Sequence, residues 1–313
     1  MKIVFMGTPD FAVGCLERLI LDGHEVAAVF TREDKPVGRK QILTPPPVKQ
    51  AALRHGIPVY QPKKVKDNPE AVTLLSSIAP DLIVVVAYGR LLPREILKIP
   101  QLGCVNVHAS LLPRHRGASP IQWAIVSGDR VTGVTTMLMD EGMDTGDILE
   151  MSELVIRPEE TAETLHDRLS AAGAELLSST VHKLAGRTVT PRRQPEEGVT
   201  YAPIITKEMG ALDFTQNAGR LDCLIRGFTP WPQAYFYYSG RRFKVLKAAV
   251  TESEGQTPGV CFEQDGEVCV ACGENTALRL IEVCPDGSRR MDGAAFKNGR
   301  FIPNGASVDS SLD

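Results

Sequence analysis

Between Asp81 and Tyr88 the chain reads Asp-Leu-Ile-Val-Val-Val-Ala-Tyr, an almost wholly apolar run of strand length. A half-exposed strand alternates apolar and polar residues; an unbroken run suits a parallel strand covered on both faces. The rest of residues 1–186 has the matching rhythm. Lys2–Met6 is a β-branched strand, and Thr8-Pro9 provides an N-cap with a first-turn proline. Phe11, Cys15, Leu16, Leu19 and Ile20 then recur at helical spacing before Gly23 ends the helix. Glu25–Thr31, Ile57–Tyr60, Gly103–Ala109, Val131–Met139 and Ile148–Ile156 read as further strands. Ser119-Pro120-Ile121-Gln122 is a capping box for a short helix ending near Gly128. Thr161–Leu184 is a long amphipathic helix with Leu165, Leu169, Ala172 and Leu176 on one face. Strands alternating with helices predict a doubly wound, mostly parallel α/β sheet.

Composition narrows the function classes. The 313 residues correspond to about two domains. An apolar share of 43% and a charged share of 23% exclude a disordered, collagen-like or coiled-coil chain. No apolar run approaches the roughly 20 residues of a membrane span. Met1–Gly7 lacks the longer apolar stretch and cleavage site of an export signal, which predicts a cytoplasmic chain. A net charge of −3 means that any nucleic-acid partner must meet local basic patches. The seven cysteines are odd in number and scattered, as expected in a reducing compartment. Cys269 and Cys272 form half a zinc knuckle, but no second pair completes it. The same stretch reads as a strand, and we expect buried strand cysteines and no metal.

Near residue 187 the pattern changes. Thr190-Pro-Arg-Arg-Gln-Pro-Glu-Glu-Gly and Ala202-Pro203 make a polar, proline-rich connector. Beyond it the helical period survives only around Ala218–Arg226. Ala234–Tyr238, Phe243–Ala249, Gly259–Glu263, Val268–Ala271 and Leu278–Cys284 are short strands between Gly, Asp and Ser turns, which predicts a small barrel or sandwich. The expected division is an α/β domain at 1–188, a linker at 189–207 and a small, OB-like β-barrel at 208–313. Asn304–Asp313 is polar and expected to fray. Trp123 and Trp231 are read as packing residues.

The chemistry gathers around residues 104–147. The first β–α turn, Gly7-Thr-Pro-Asp-Phe-Ala-Val-Gly14, lacks the Gly-x-Gly-x-x-Gly that cradles a dinucleotide, and no P-loop lysine is present. Nicotinamide, flavin and nucleoside-triphosphate chemistry are therefore disfavoured. Asn106 and His108, two apart on a strand, share a face near its carboxyl end, where open α/β sheets bind ligands. A lone buried histidine is often only a satisfied core residue, and the residue pattern alone leaves both readings open. Met139-Asp-Glu-Gly-Met-Asp144-Thr-Gly-Asp147 lacks the register of a calcium loop. It is either a solvated turn or a turn that delivers a carboxylate to a neighbouring strand.

Together, Gly7-Thr-Pro-Asp-Phe-Ala, Asn106-Val-His108-Ala-Ser-Leu-Leu-Pro113-Arg-His-Arg-Gly117-Ala-Ser-Pro120-Ile-Gln-Trp123 and Met143-Asp144-Thr-Gly-Asp147-Ile resemble the folate-dependent formyltransferases. Ile225-Arg-Gly-Phe-Thr-Pro-Trp-Pro-Gln-Ala234 is similar to the branch that formylates charged initiator tRNA. The resemblance spans nearly the whole chain. It implies a Rossmann-like catalytic domain and transfer of a formyl group from 10-formyltetrahydrofolate to the amino group of methionine on initiator Met-tRNA. It implies Asn106, His108 and Asp144 as catalytic residues, Ser110, Leu111, Leu112 and Pro113 as folate contacts, and Tyr88 and Gly89 as lining of the pterin pocket. The long basic segment from Lys35 through Arg39 and Lys40 to Lys49 corresponds to the loop that enters the acceptor stem, with Arg39 at the family's key arginine. Gln41 and Ile42 depart from the more basic pattern there. Charge alone makes that segment a solvated run or an RNA contact. Arg241, Arg242, Lys244 and Lys247 form a second basic cluster, and Arg192 and Arg193 in the connector extend it. The implied barrel domain binds tRNA. Nothing in the chain marks a dimer seam, so a monomer is expected. A formyltransferase for a small amine and a non-catalytic folate or RNA binder are the competing readings. The basic loop and the second domain oppose the first, and the complete Asn106, His108 and Asp144 set opposes the second.

Overall fold

The computed structural model describes residues 1–38 and 40–311, and the chain divides into two compact units. The first takes Met1–Pro120, Val131–Val155 and His166–Pro203; the second takes Ile121–Arg130, Ile156–Leu165 and the chain from Ile204 onward. Strands in the first unit are β1 (Lys2–Gly7), β2 (Glu25–Phe30), β3 (Lys35–Val37), β4 (Ile42–Thr44), β5 (Val59–Tyr60), β6 (Leu82–Val86), β7 (Cys104–His108), β8 (Arg116–Gly117), β9 (Val131–Leu138), β10 (Ile148–Val155) and β11 (Tyr201–Ala202). The helices up to the connector are α1 (Val13–Leu21), α2 (Pro47–Arg54), α3 (Pro69–Ile78), α4 (Arg94–Leu97), α5 (Pro120–Val126) and α6 (Ala162–Ala185).

Seven strands form one sheet in the order β10-β9-β7-β6-β1-β2-β5. β1 is parallel to β2 and β6, β2 to β5, and β6 to β7; β9 runs antiparallel to β7 and β10. The mostly parallel, doubly wound architecture is thus present. β6, the unbroken apolar run, lies third from neither edge but at the centre, and every one of its residues is buried. Strand order reverses between β1 and β6, which leaves a crevice beyond their carboxyl ends. Gly173 of α6 sits over Val107 and Val134, where an added Cβ would approach their methyl groups to 3.2 and 3.7 Å. Val107 therefore faces α6, and its neighbours Asn106 and His108 face the other way. Thr8 does not cap α1. A 3₁₀ turn at Asp10–Ala12 comes first, and the Thr8 hydroxyl donates instead to the Tyr88 carbonyl at 3.4 Å.

The second unit contains α7 (Ala218–Gly227), β12 (Ala234–Tyr238), β13 (Arg241–Glu252), β14 (Cys261–Gln264), β15 (Glu267–Ala271), β16 (Thr276–Pro285), β17 (Met291–Asp292) and α8 (Gly293–Asn298). Its antiparallel sheet runs β12-β13-β16-β15-β14, with β17 on β16. Phe236 and Phe243 stack in its core with ring centroids 5.5 Å apart, and Phe296 meets Phe243 edge-on. Cys261, Cys269 and Cys272 are buried there, and burial pushes their thiols up to about 12, 11 and 12. Among the described residues no group of three or more His, Cys, Asp or Glu is placed to hold a metal ion. Trp231 is 52% exposed, so the turn carries its ring to the surface rather than into packing.

Residues 304–311 do not fray as expected; residues 312 and 313 lie outside the described residues. Gly305 and Val308 donate to the carbonyls of Cys261 and Gly259, Cys261 donates to the Ala306 carbonyl, and Tyr237 and Asp309 exchange both main-chain bonds. The segment thereby spans from the β14 edge to β12, the two ends of the sheet, and buries Val308. Polar composition hid this because the contacts are made by the backbone. Removing residues 304–313 takes away, among the described residues, five main-chain hydrogen bonds to the β12 and β14 ends of the sheet, each contributing about 1 kcal/mol net. Thermal unfolding of the truncated chain is expected to show a transition lowered by several degrees; an unchanged midpoint would mean that the segment leaves the sheet's stability unaffected.

Candidate active site

His108, the last residue of β7, is 6% exposed. Its Nε2 lies 3.0 Å from the His115 carbonyl, which can only accept, so Nε2 carries a hydrogen. Nδ1 is then turned to Asp144, 3.8 Å from Oδ1. The other carboxylate oxygen of Asp144 accepts from the Gly117 N–H at 2.8 Å. Asn106 is half-buried on the same face, and among the described residues its amide has no hydrogen-bond partner. The structure thus brings His108 and Asp144 together, with an unengaged amide two residues away on the same strand face.

Asp144 reaches His108 by an indirect route. Leu138, the end of β9, pairs with Val105 near the start of β7, while His108 pairs with Thr135. The loop after β9 must therefore run back along β7 by about three residues, roughly 10 Å at strand rise. Hydrogen bonds from Gly142 N–H and the Thr145 hydroxyl to Asp140 close a local turn at its tip, and the Leu138 N–H donates to the Asp147 carbonyl at 2.9 Å at its base. Asp144 itself has φ +56°. Gly146 lies so close to the Leu138 carbonyl that a Cβ would overlap it. Gly117 has φ +120°, and a Cβ there would stand 2.7 Å from the Ala202 carbonyl. Two glycines are therefore needed for the carboxylate to arrive and for its N–H donor to face it.

The connector supplies much of the surround. β11 pairs with β8, and the Arg116 and Ala118 N–H groups donate to the carbonyls of Thr200 and Ala202, both at 2.9 Å. The Thr200 hydroxyl accepts from His115 N–H at 2.8 Å. Gln194 is buried against the Asp144 loop. Motif reading missed Gln194 because it sits in a stretch that composition marks as linker. The one sequence signal was its type: an uncharged polar residue between Arg193 and Pro195.

The expected folate contacts divide. The Ser110 hydroxyl donates to the Arg114 carbonyl at 2.6 Å, and the Thr135 hydroxyl joins the Ser110 carbonyl to the Leu112 N–H. Ser110 and Leu112 are thus interior and shape the loop, whereas Leu111 and Pro113 are half-buried. Tyr88 and Gly89 line a cleft of about 610 Å³ beyond β1, β2 and β6, the crevice where strand order reverses. Thr8, Arg32, Lys35 and Gln50 share that cleft.

The expected RNA contacts also divide. Lys35 and Lys40 are exposed, and the β3–β4 hairpin between them presents Val37, Ile42 and Leu43 to solvent; Arg39 lies outside the described residues. Lys49 is turned inward. Its ammonium bonds both Asp34 oxygens at 2.8 and 2.9 Å and Gln61 at 2.8 Å, and these contacts hold the Asp34 carboxyl below its ordinary range. Its charge anchors the base of the hairpin instead of remaining available. Arg193 pairs with Glu196, Arg242 with Asp286 and Lys247 with Glu159, at 3.7, 3.0 and 3.9 Å. Arg241 donates to the Asp286 carbonyl and the Ser288 hydroxyl. Arg192 is exposed and bonds Ile148 through its backbone, and Lys244 forms no ion pair among the described residues.

The sequence matches the family described as formyl transferase over residues 1–181, and the family described as formyl transferase, C-terminal domain, over residues 204–300. A methionyl-tRNA formyltransferase of Caldanaerobacter subterraneus subsp. tengcongensis is 50% identical over 306 residues, 97% of this chain and 99% of the relative. That of Bacillus subtilis is 47% identical over 308 residues, covering 97% and 96%. Among solved structures, an N-formyltransferase from Helicobacter canadensis in complex with folinic acid and dTDP-3-aminofucose has the same fold, with a TM-score of 0.67 at 18% identity over 90% of this chain and 98% of that one. Phosphoribosylglycinamide formyltransferase from Bacillus halodurans aligns over 60% of this chain and 96% of its own, with 30% identity and a TM-score of 0.51. By sequence along nearly its whole length, the chain belongs to the formyl transferase family.

Proposed function

We propose that this chain transfers the formyl group of 10-formyltetrahydrofolate to the α-amino group of methionine on charged initiator tRNA, with Asn106, His108 and Asp144 as its catalytic residues. The observation that carries the reading is the oriented imidazole of His108, set between a carbonyl and a carboxylate beside the unengaged amide of Asn106. The folate donor supplies an electrophilic formyl carbon and a nitrogen leaving group. Leu111 and Pro113 offer it half-buried apolar surface, and Tyr88 and Gly89 line the cleft beside it.

The acceptor amine needs little activation. A free α-amino group has a pKa of roughly 7.7–8, and esterification of the adjacent carboxyl lowers it further. The larger task is the negative charge that develops on the formyl oxygen. The Asn106 N–H is available for it, and one such donor contributes about 3–4 kcal/mol in a site shielded from water. The Nε2–H of His108, shared with the His115 carbonyl, is the second donor. Asp144 lies across the ring at Nδ1, and the His115 carbonyl keeps the ring in this orientation. The same carboxylate takes the proton lost by the amine, through water, and returns it to the leaving nitrogen.

His108→Ala is expected to lower turnover about 100- to 10,000-fold while leaving tRNA affinity nearly intact, as read from formylation kinetics and filter binding. Asn106→Ala is expected to cost about 100- to 1,000-fold in turnover. Wild-type rates in either variant would remove that residue from the mechanism.

Residues 1–188 are proposed as the catalytic domain and residues 208–313 as a tRNA-binding domain. Lys35 and Lys40 are proposed as phosphate contacts, with Arg192 and Lys244, which form no ion pair among the described residues, as further ones. Removing either Lys35 or Lys40 should reduce the slope of log affinity against log salt by roughly one, and an unchanged slope would exclude that side chain. No described helix is long and apolar enough to cross a membrane. The enzyme is proposed to act as a cytoplasmic monomer, for which sedimentation velocity should give one species near 34.1 kDa; a dimer peak would refute it.

A further inference from the structure

Gln194 is 6% exposed although Arg193 and Pro195 on either side of it are exposed. Its side chain uses its full hydrogen-bonding capacity. Nε2 donates to the carbonyls of Asp144 and Gly146, each at 2.8 Å. Oε1 accepts from Nε and a terminal nitrogen of Arg116, at 3.1 and 2.6 Å. A primary amide has two N–H donors and two acceptor lone pairs, and all four are engaged here.

We infer that Gln194 is a positioning residue for formyl transfer: it fastens the Asp144 turn to the Arg116–Gly117 strand, so that the carboxylate stays beside His108. The inference rests on the role proposed above for Asp144. Three features of the site support it. The loop runs back over β7, and its own bonds close its tip at Asp140 and its base between the Leu138 N–H and the Asp147 carbonyl, none of them tying residues 144–146 to β8. Asp144 has φ +56°, a backbone conformation that L-residues adopt only occasionally. The two carbonyls that Gln194 binds flank Thr145, so the bonds fix the direction of the peptide that follows Asp144 as well as its distance. Arg116 and Gly117 are consecutive, and Gly117 donates to the Asp144 carboxylate. The main chain of one turn and its side-chain carboxylate are therefore both fixed to a single two-residue strand.

Gln194→Glu tests donation separately from packing. A glutamate has nearly the same volume and retains acceptors for Arg116, but its carboxylate faces the carbonyls of Asp144 and Gly146 and cannot donate to them. Gln194→Ala removes both sets of bonds. Steady-state formylation is measured with charged initiator tRNA and 10-formyltetrahydrofolate, and turnover is normalised to enzyme competent for tRNA binding so that unfolded protein does not enter kcat. Both variants are expected to lower kcat about 10- to 100-fold, with KM for the tRNA changed less than about threefold. In an Asp144→Asn background, adding Gln194→Ala should cost less than about threefold more, because the group being positioned is already gone. Wild-type kcat in Gln194→Glu overturns the inference, as does a loss from Gln194→Ala that is equally large in both backgrounds. Wild-type turnover in Asp144→Asn instead refutes the role of Asp144, so the failure of either claim is recognised separately.

Discussion

A carboxylate cannot sit beside His108 unless something outside its own loop holds it there. β9 ends next to the start of β7, and the loop must return along the strand before Asp144 meets the imidazole. The return path crosses backbone that a side chain would block, hence Gly146 against the Leu138 carbonyl. The two-residue strand β8 faces it with an N–H from Gly117, which is itself pressed against the Ala202 carbonyl. The elements around the site follow from this requirement. β8 is held by β11, β11 belongs to the connector, and the connector also supplies Gln194 and Thr200.

The sheet provides the fixed platform. Buried β6 and its parallel neighbours leave few degrees of freedom at their carboxyl ends, and α6 covers the Val107 face of β7 so closely that residue 173 is a glycine. Asn106 and His108 are thereby committed to the opposite face. Hydrogen-bond satisfaction then orients the imidazole. The His115 carbonyl determines which ring nitrogen carries hydrogen, and that choice turns the other nitrogen to Asp144.

Much of this was legible in the residues. The apolar run of β6, the alternation through residue 186 and the short strands after residue 230 each follow from side-chain periodicity, which local sequence records directly. Asn106 and His108 share one face, as strand alternation of i and i+2 predicts. The capping expectation for Thr8 failed because a 3₁₀ turn intervenes. The chain end read as frayed because its contacts are main-chain bonds, to which composition is blind. Lys49 read as part of a basic run because Asp34 and Gln61 lie 15 and 12 residues from it, outside any local window.

Local pattern and motif determined that this chain would build a mostly parallel sheet and a second antiparallel one, and that Asn106 and His108 would share one face of the strand that ends at His108. Periodicity and residue type are properties of neighbours along the chain, and they suffice for that. Only the tertiary structure decided which of the described cations stay unpaired, which of the Ser110–Pro113 residues remain accessible, and that a proline-rich connector contributes to the wall of the candidate site. Those outcomes depend on groups far apart in sequence competing for the same hydrogen-bonding partners. Gln194 and Asp144, fifty residues apart, meet only once the sheet has placed them.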